Sequence, residues 1–322
     1  MAMTVLVCKP IAYVHSQPFY SAVHASPLVA ALARSRRGSF SFTRPYEMVM
    51  RVENADLSRQ SKAFEGVHTG LTTGQIAVPR YQIRMCSATD LLSEVRARNR
   101  DPTFDYLPVR DANEDLTGLL SNRAIDDAGS GGDGSQVGEH MDPLSEADLI
   151  GAETPITALI GRIRQKPFLV ISAQAIIGMV AWSDLQKLPV RAALFALVTG
   201  FELTMYETIK RHLGEREGWT RHLAQGRLDR ATKEYRDQYE RGSDVELLLC
   251  TQFCDKRDIL IKSFEFGIQK GKLERKFKAI EQIRNDVAHA NNYAMSFERV
   301  EQLRATLGDL VDLRSRIKSL AP

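Results

Sequence analysis

The sequence predicts an α/β domain followed by an all-helical one. Three observations carry this. The order helix–strand–strand–helix occurs twice between residues 81 and 188. A stretch rich in glycine and serine separates the two copies, with the linker placed at about 128–140. From Pro189 the apolar residues follow a period of 3.6 that holds to the C-terminus. The boundaries are therefore 1–80 for an N-terminal segment of unclear structure, 81–188 for the α/β module and 189–322 for the helical domain.

In the first copy, Ser87 and Asp90 form a capping-box-like start ahead of Leu91 and Leu92, and the helix ends before Asp101-Pro102. Phe104 to Val109 and Leu116 to Leu120 are strands around a turn at Asp111–Glu114, and a short helix follows from Ser121. In the second copy, Thr154-Pro155 opens a helix that carries Ile156, Leu159, Ile160 and Ile163. Pro167 to Ile171 and Ala175 to Ala181 are its strands, and Trp182 to Leu185 starts its closing helix. A repeated order is stronger than either copy alone.

The helical domain begins with Leu194, Leu197, Val198, Phe201, Met205 and Ile209 on one face of a helix reaching about His212. A polar helix with Leu223, Leu228, Ala231 and Tyr235 follows, and Ser243 with Glu246 caps a helix entered at Leu247-Leu248-Leu249. Leu273, Phe277, Ile280, Ile283 and Val287 line a helix from about Lys272, and the last helix follows Ser296. Glu202 and Arg284 stand on apolar stripes, where a charge needs a partner. Their opposite signs suggest a mutual pair that sets helix register.

Composition excludes some classes. The chain of 322 residues has 43% apolar and 26% charged content, as globular proteins do. The longest apolar run, Ala192 to Phe201, is about half of what a membrane span needs. The N-terminus lacks the residue order of a secretory signal, so a cytoplasmic location is expected. Cys8, Cys86, Cys250 and Cys254 lack paired zinc spacing, and Cys250 and Cys254 read as core thiols. No metal site is expected. The net charge is only +3, too little for a dedicated nucleic-acid coat.

The repeat resembles a tandem pair of CBS domains. The matching residues are Leu107-Pro108-Val109 with Gly118-Leu119-Leu120-Ser121, then Phe168-Leu169-Val170 with Gly178-Met179-Val180-Ala181-Trp182-Ser183-Asp184. The resemblance implies that a hydroxyl faces a phosphate and an Asp holds the ribose of an adenosine nucleotide. An ionised carboxylate can accept both hydrogen bonds of a vicinal diol. The motif is split here: Ser121 is followed by Ala124 in place of Asp, whereas Ala181 precedes Asp184. Gly178, Ser121 and Asp184 are thus the nucleotide candidates, with Asp184 the one good ribose site. A regulatory adenine nucleotide and a purely dimerising pair both remain open.

Arg284-Asn285-Asp286-Val287-Ala288-His289 resembles the Arg-x4-His motif of HEPN domains. In such domains Arg284, Asn285 and His289, with Glu202 on the first helix, would form a composite metal-independent ribonuclease site in a homodimer. The imidazole would exchange protons, and the guanidinium would stabilise a phosphate gaining charge. A 2′-hydroxyl would attack the adjacent phosphate, leaving a cyclic phosphate and a 5′-hydroxyl. Lys270, Lys272, Arg275, Lys276 and Lys278 precede the motif and are candidates to grip RNA, or form a solvated face. The combined expectation is a nucleotide-regulated endoribonuclease suited to stress response or phage defence. The alternative is a non-catalytic sensor or scaffold whose helical domain docks a partner protein.

Overall fold

A computed structural model describes Gly66 and residues 69–100, 104–128, 134–214, 216–289 and 291–320. Cys8 and the rest of residues 1–65 lie outside the described residues.

The α/β half contains two four-stranded sheets. Its elements are β1 (Val78–Pro79), β2 (Cys86–Ser87), α1 (Leu92–Arg98), β3 (Tyr106–Arg110), β4 (Leu116–Ser121) and α2 (Asn122–Ala128). The second repeat supplies β5 (Asp142–Pro143), β6 (Leu149–Gly151), α3 (Ile156–Arg162), β7 (Phe168–Ser172) and β8 (Ala175–Val180). In each repeat a parallel pair (β2 with β3, β6 with β7) is bridged by a helix, as a parallel crossover requires. An antiparallel hairpin then follows, β3 with β4 and β7 with β8. The register shifts at Val109/Arg110 in one hairpin and at Val170/Ile171 in the other, so the two copies match even in their irregularity.

The fourth strand of each sheet comes from the other repeat. β5, which leads into the second repeat, pairs with β4 at Gly118↔Pro143. β1, which leads into the first, pairs with β8 at Pro79↔Gly178. Proline, lacking an N–H, suits such an edge. Glycine is needed opposite it. A Cβ at Gly178 would lie 2.5 Å from the Val78 carbonyl oxygen, and one at Gly118 would lie 3.0 Å from the Asp142 carbonyl oxygen, a milder crowding. The α/β module therefore extends in front of residue 81 to include Thr72–Gln82, and Val137 inside the expected linker is fully buried.

The helical half consists of α4 (Leu188–Leu213), α5 (Arg216–Thr220), α6 (Gln225–Glu240), α7 (Phe253–Ser263), α8 (Lys270–Ala288) and α9 (Phe297–Lys318). Central helix α4 packs against α7, α8 and α9. Phe201 sits between Phe253 and Phe277, with ring centroids 6.1 and 6.0 Å away. No segment was expected to be long and apolar enough to cross a membrane, Ala192–Phe201 being the best run, yet by length and composition alone α4 is. Most of its apolar side chains from Val190 to Ile209 lie in the buried core, while Phe195 is 42% exposed. Ser296 caps α9 through Arg299 N–H at 3.3 Å.

The expected helix at Leu247–Leu249 does not form; residues 247–250 are turns in an otherwise irregular stretch, and α7 starts at Phe253. Glu246 does not return to a helix N-terminus. Its carboxylate accepts the Tyr206 hydroxyl at 2.7 Å and the Lys210 ammonium, stronger partners than a peptide N–H. Asp255 takes the capping role instead, accepting Gln252 N–H at 2.9 Å. Cys86 is buried, but Cys250 and Cys254 are only partly so.

The first repeat has its own small core of Leu92, Val95, Leu107, Val109, Leu120, Ile125 and Val137. The second repeat and the bundle share one continuous core running from Ile76 and Ile150 to Ile317. Arg304 of α9 reinforces that joint by donating to the Ile160 carbonyl at 3.2 Å and to that of Ile163, at the end of α3.

Candidate functional site

The two repeats divide one capping device between them. At the end of β4 the Ser121 hydroxyl accepts Ala124 N–H at 3.1 Å, starting α2. At the end of β8 the corresponding Ala181 has no acceptor side chain, and only the return half is made: Asp184 Oδ2 accepts Ala181 N–H at 2.7 Å. Asp184 closes the 3₁₀ turn Trp182–Gln186 and is 9% exposed. Its other oxygen is 2.8 Å from Lys187 Nζ, which also donates to the Ile76 carbonyl at 2.5 Å. A ribose diol would have to share or displace Lys187. Gly178, taken from the motif as part of the nucleotide site, has a direct packing role against β1. Ser121 ends β4 of one sheet, whereas Asp184 lies in the turn after β8 of the other.

The second cluster lies at the C-terminal end of α8. Arg284 is half-buried, and its Nη1 donates to Asn285 Oδ1 at 3.2 Å. His289 is exposed at the helix cap, its N–H bonded to the Asn285 carbonyl at 3.0 Å. Arg275, Lys278, Gln282, Asn285 and His289, spaced alternately by three and four, share one outward stripe. Asp286 is buried and accepts the Gln282 and Asn291 amides at 2.9 and 3.2 Å.

Glu202 is not part of this cluster. Its partner is Lys256 at 3.1 Å, not Arg284. The reason is register. Phe201 meets Phe277, while Arg191 reaches the carbonyls of Asp286 and Val287. With α4 and α8 antiparallel at that register, Glu202 and Arg284 are about 12 Å apart along the axis at 1.5 Å per residue. Lys256 also donates to the Thr251 carbonyl at 2.7 Å and is nearly buried. It could have been found by the argument applied to Glu202, because it sits three before Ile259 and four before Leu260 on an apolar face.

Among the basic residues ahead of the motif, Lys276 is tied to Asp309 of α9. Lys270, Lys272, Arg275 and Lys278 are exposed, and Arg275 Nε donates to the Gly271 carbonyl at 3.2 Å. Only Arg275 and Lys278 fall on the stripe of Asn285 and His289. Among the described residues no group of three or more His, Cys, Asp or Glu is placed to hold a metal ion.

Sequence reasoning missed the residues that join the two clusters. Tyr293 donates its hydroxyl to the Leu185 carbonyl at 2.7 Å, inside the turn that carries Asp184. Arg191, in the first turns of α4, lies over the Tyr293 ring at 5.2 Å. It donates to the carbonyls of Asp286 at 3.1 Å, Val287 at 3.3 Å and Asn291 at 3.1 Å. A cation is favoured there by the helix dipole and by the unsatisfied last carbonyls of α8.

By its topology the chain is a tandem CBS-type α/β module followed by a helical bundle. No protein-family model matches it, and no curated protein sequence does. It is similar to solved CBS structures. The CBS-pair protein CBSX2 from Arabidopsis thaliana is 21% identical, with 39% of this chain and 95% of that one covered at a TM-score of 0.33. The CBS domains of a transcriptional regulator from Streptococcus pneumoniae are 20% identical, covering 36% and 96% at 0.31. The CBS domain of a bacterial CNNM/CorC family Mg2+ transporter, solved in complex with ATP, is 14% identical, covering 44% and 98% at 0.34. The HEPN resemblance rests on the sequence of the bundle alone.

Proposed function

We propose that this chain is a nucleotide-responsive regulator, with the tandem module as the sensor and the helical bundle as the output. The supporting observation is the position of Asp184. The one intact ribose-type carboxylate lies in the turn that runs directly into α4, the central helix of the bundle. An adenosine nucleotide would bring a diol to Asp184, with Lys187 beside it to meet negative charge. Calorimetric titration of ATP, ADP and AMP tests this. The native chain binds at least one, and Asp184→Asn weakens binding about tenfold or more, since a charge-assisted bond becomes neutral. Failure of all three to bind the native chain sinks the reading.

A second reading, endoribonuclease activity in a homodimer, is favoured by one contact. The Arg284–Asn285 hydrogen bond draws the guanidinium toward the stripe that bears exposed His289. RNA would be held by Arg275 and Lys278 and cut through 2′-hydroxyl attack, in a stress or phage-defence setting in the cytoplasm. Cleavage of an RNA pool in EDTA, lost in His289→Ala, is the expected result. Its absence with and without ATP leaves the bundle as a docking domain.

A further inference from the structure

The segment that follows α8 and the turn bearing Asp184 are hydrogen-bonded in space across 108 residues of sequence, from Leu185 to Tyr293. Tyr293 is 3% exposed, and its hydroxyl reaches into the Trp182–Gln186 turn at Leu185, next to Asp184. The route has a second strand. Lys187, the ion-pair partner of Asp184, accepts Arg191 N–H at its carbonyl at 3.3 Å, and Arg191 carries the three bonds to the 286–291 backbone. Both strands meet at one place, because the Arg191 guanidinium stacks on the Tyr293 ring. The first repeat keeps a separate core of its own.

We propose that Arg191 and Tyr293 form a latch that transmits the state of Asp184 to the C-terminal turn of α8, and so position Asn285 and His289. This rests on the sensor reading above for the identity of the trigger, but the latch itself is testable without a ligand. When the Asp184–Lys187 pair is undisturbed, Leu185 and Lys187 are held and α8 is capped through Asn291. When a diol takes the carboxylate, Lys187 is released, and the changes at Leu185 and at the start of α4 reach the same cap. The output is the order of the segment from Asp286 to Tyr293, whatever that segment then does to RNA or to a partner.

The test is hydrogen exchange on the full chain, following the His289 and Asn291 amides, which bond to Asn285 and Asp286. Tyr293→Phe should speed both about tenfold, the effect of losing one buried hydrogen bond. Local loosening alone would do the same, so the decisive arm is a double-mutant cycle. Asp184→Asn should speed the two amides severalfold in the native background and add nothing in the Tyr293→Phe background. Equal effects in both backgrounds, or no effect of Asp184→Asn at all, overturn the latch. Arg191→Lys, which keeps the charge and loses the multiple bonds, serves as the second background should Tyr293→Phe fail to fold. ATP at millimolar concentration is the third arm. Measured binding that shifts the two amides in the native chain and leaves them unmoved in Tyr293→Phe supports the latch. Binding with no shift in the native chain overturns it. If ATP does not bind, the sensor reading is damaged for this ligand, and the Asp184→Asn cycle alone decides the latch.

Discussion

At the scale of single residues, buried charge is the best guide to what this chain cannot lose. Lys256 is 4% exposed at its side chain and compensated by Glu202 and the Thr251 carbonyl. Lys256→Met leaves Glu202 facing the core alone and should cost about 3 kcal/mol in urea denaturation, with part of it recovered in the double variant with Glu202→Gln. A cost under about 0.5 kcal/mol would mean that solvent already satisfies Glu202. The sequence made the need for a partner visible, since a charge on an apolar face is costly. It did not reveal which partner, because both Arg284 and Lys256 have the right sign. The choice depends on the packing of Phe201 between Phe253 and Phe277, a long-range fact.

Buried weak acids set an alkaline limit, Cys86 and Tyr293 foremost. Burial pushes the Cys86 thiol from 9.0 to about 12, with Asp90 adding to the rise, and burial pushes the Tyr293 phenol from 10.0 to about 12, against the pull of Arg191. In both the folded chain holds the proton more tightly than the unfolded one. Their stabilisation is therefore complete below the unfolded values and is lost as pH rises toward 12. Denaturation midpoints should stay level up to about pH 9 and then fall. Cys86→Ala should reduce the part of the fall that begins first, which Cys250, pushed up by burial to about 11, shares, and Tyr293→Phe the part that begins about one pH unit later.

At the scale of elements, the hairpin of the second repeat carries avoidable strain. Ala173 and Gln174, between β7 and β8, have φ values of 48° and 69°, the left-handed region that favours Asn and Gly. Ala173→Asn with Gln174→Gly should stabilise the chain by about 1–2 kcal/mol in urea, because each side chain in that region costs on this order. No gain would mean that the turn side chains hold contacts worth as much as the strain. The central strands and long helices were legible because burial imposes a period on them. The edge strands β1 and β5 were not. Two residues with a proline carry no period, and their pairing is set by glycines some 25 to 100 positions away. The misplaced helix at Leu247–Leu249 has a similar cause: Ser243 and Glu246 had the spacing of a capping box, but Tyr206 and Lys210, from another helix, bound the Glu.

At the scale of the whole molecule, stability is distributed unevenly. The second repeat and the bundle unfold against one shared core, while the first repeat relies on a core of about eight side chains. Leu120→Ala in the first repeat should speed exchange mainly in β2–β4, whereas Leu159→Ala in α3 should loosen both β6–β8 and the bundle, each at a cost of about 2–4 kcal/mol. Uniform loosening by Leu120→Ala would contradict two separable cores. Of the candidate site, the Asp184 turn and the exposed His289 were readable from motifs. Their linkage through Leu185, Tyr293 and Arg191 was not, because a tyrosine hydroxyl on a carbonyl leaves no pattern in the chain.

The exchanged edge strands have a consequence for how the protein could be divided. Each repeat lends its leading strand to its neighbour, so neither is a complete sheet when separated, and each presents an open strand edge that the other half alone can fill. Residues 66–128 and 134–320 produced as two chains would therefore behave as a lock and two keys: β1 travels with the first chain and completes the second chain's sheet, and β5 does the reverse. Fragment complementation of this kind would make the α/β half a reporter of its own assembly, since Lys187, just ahead of α4, donates to the Ile76 carbonyl that travels with β1.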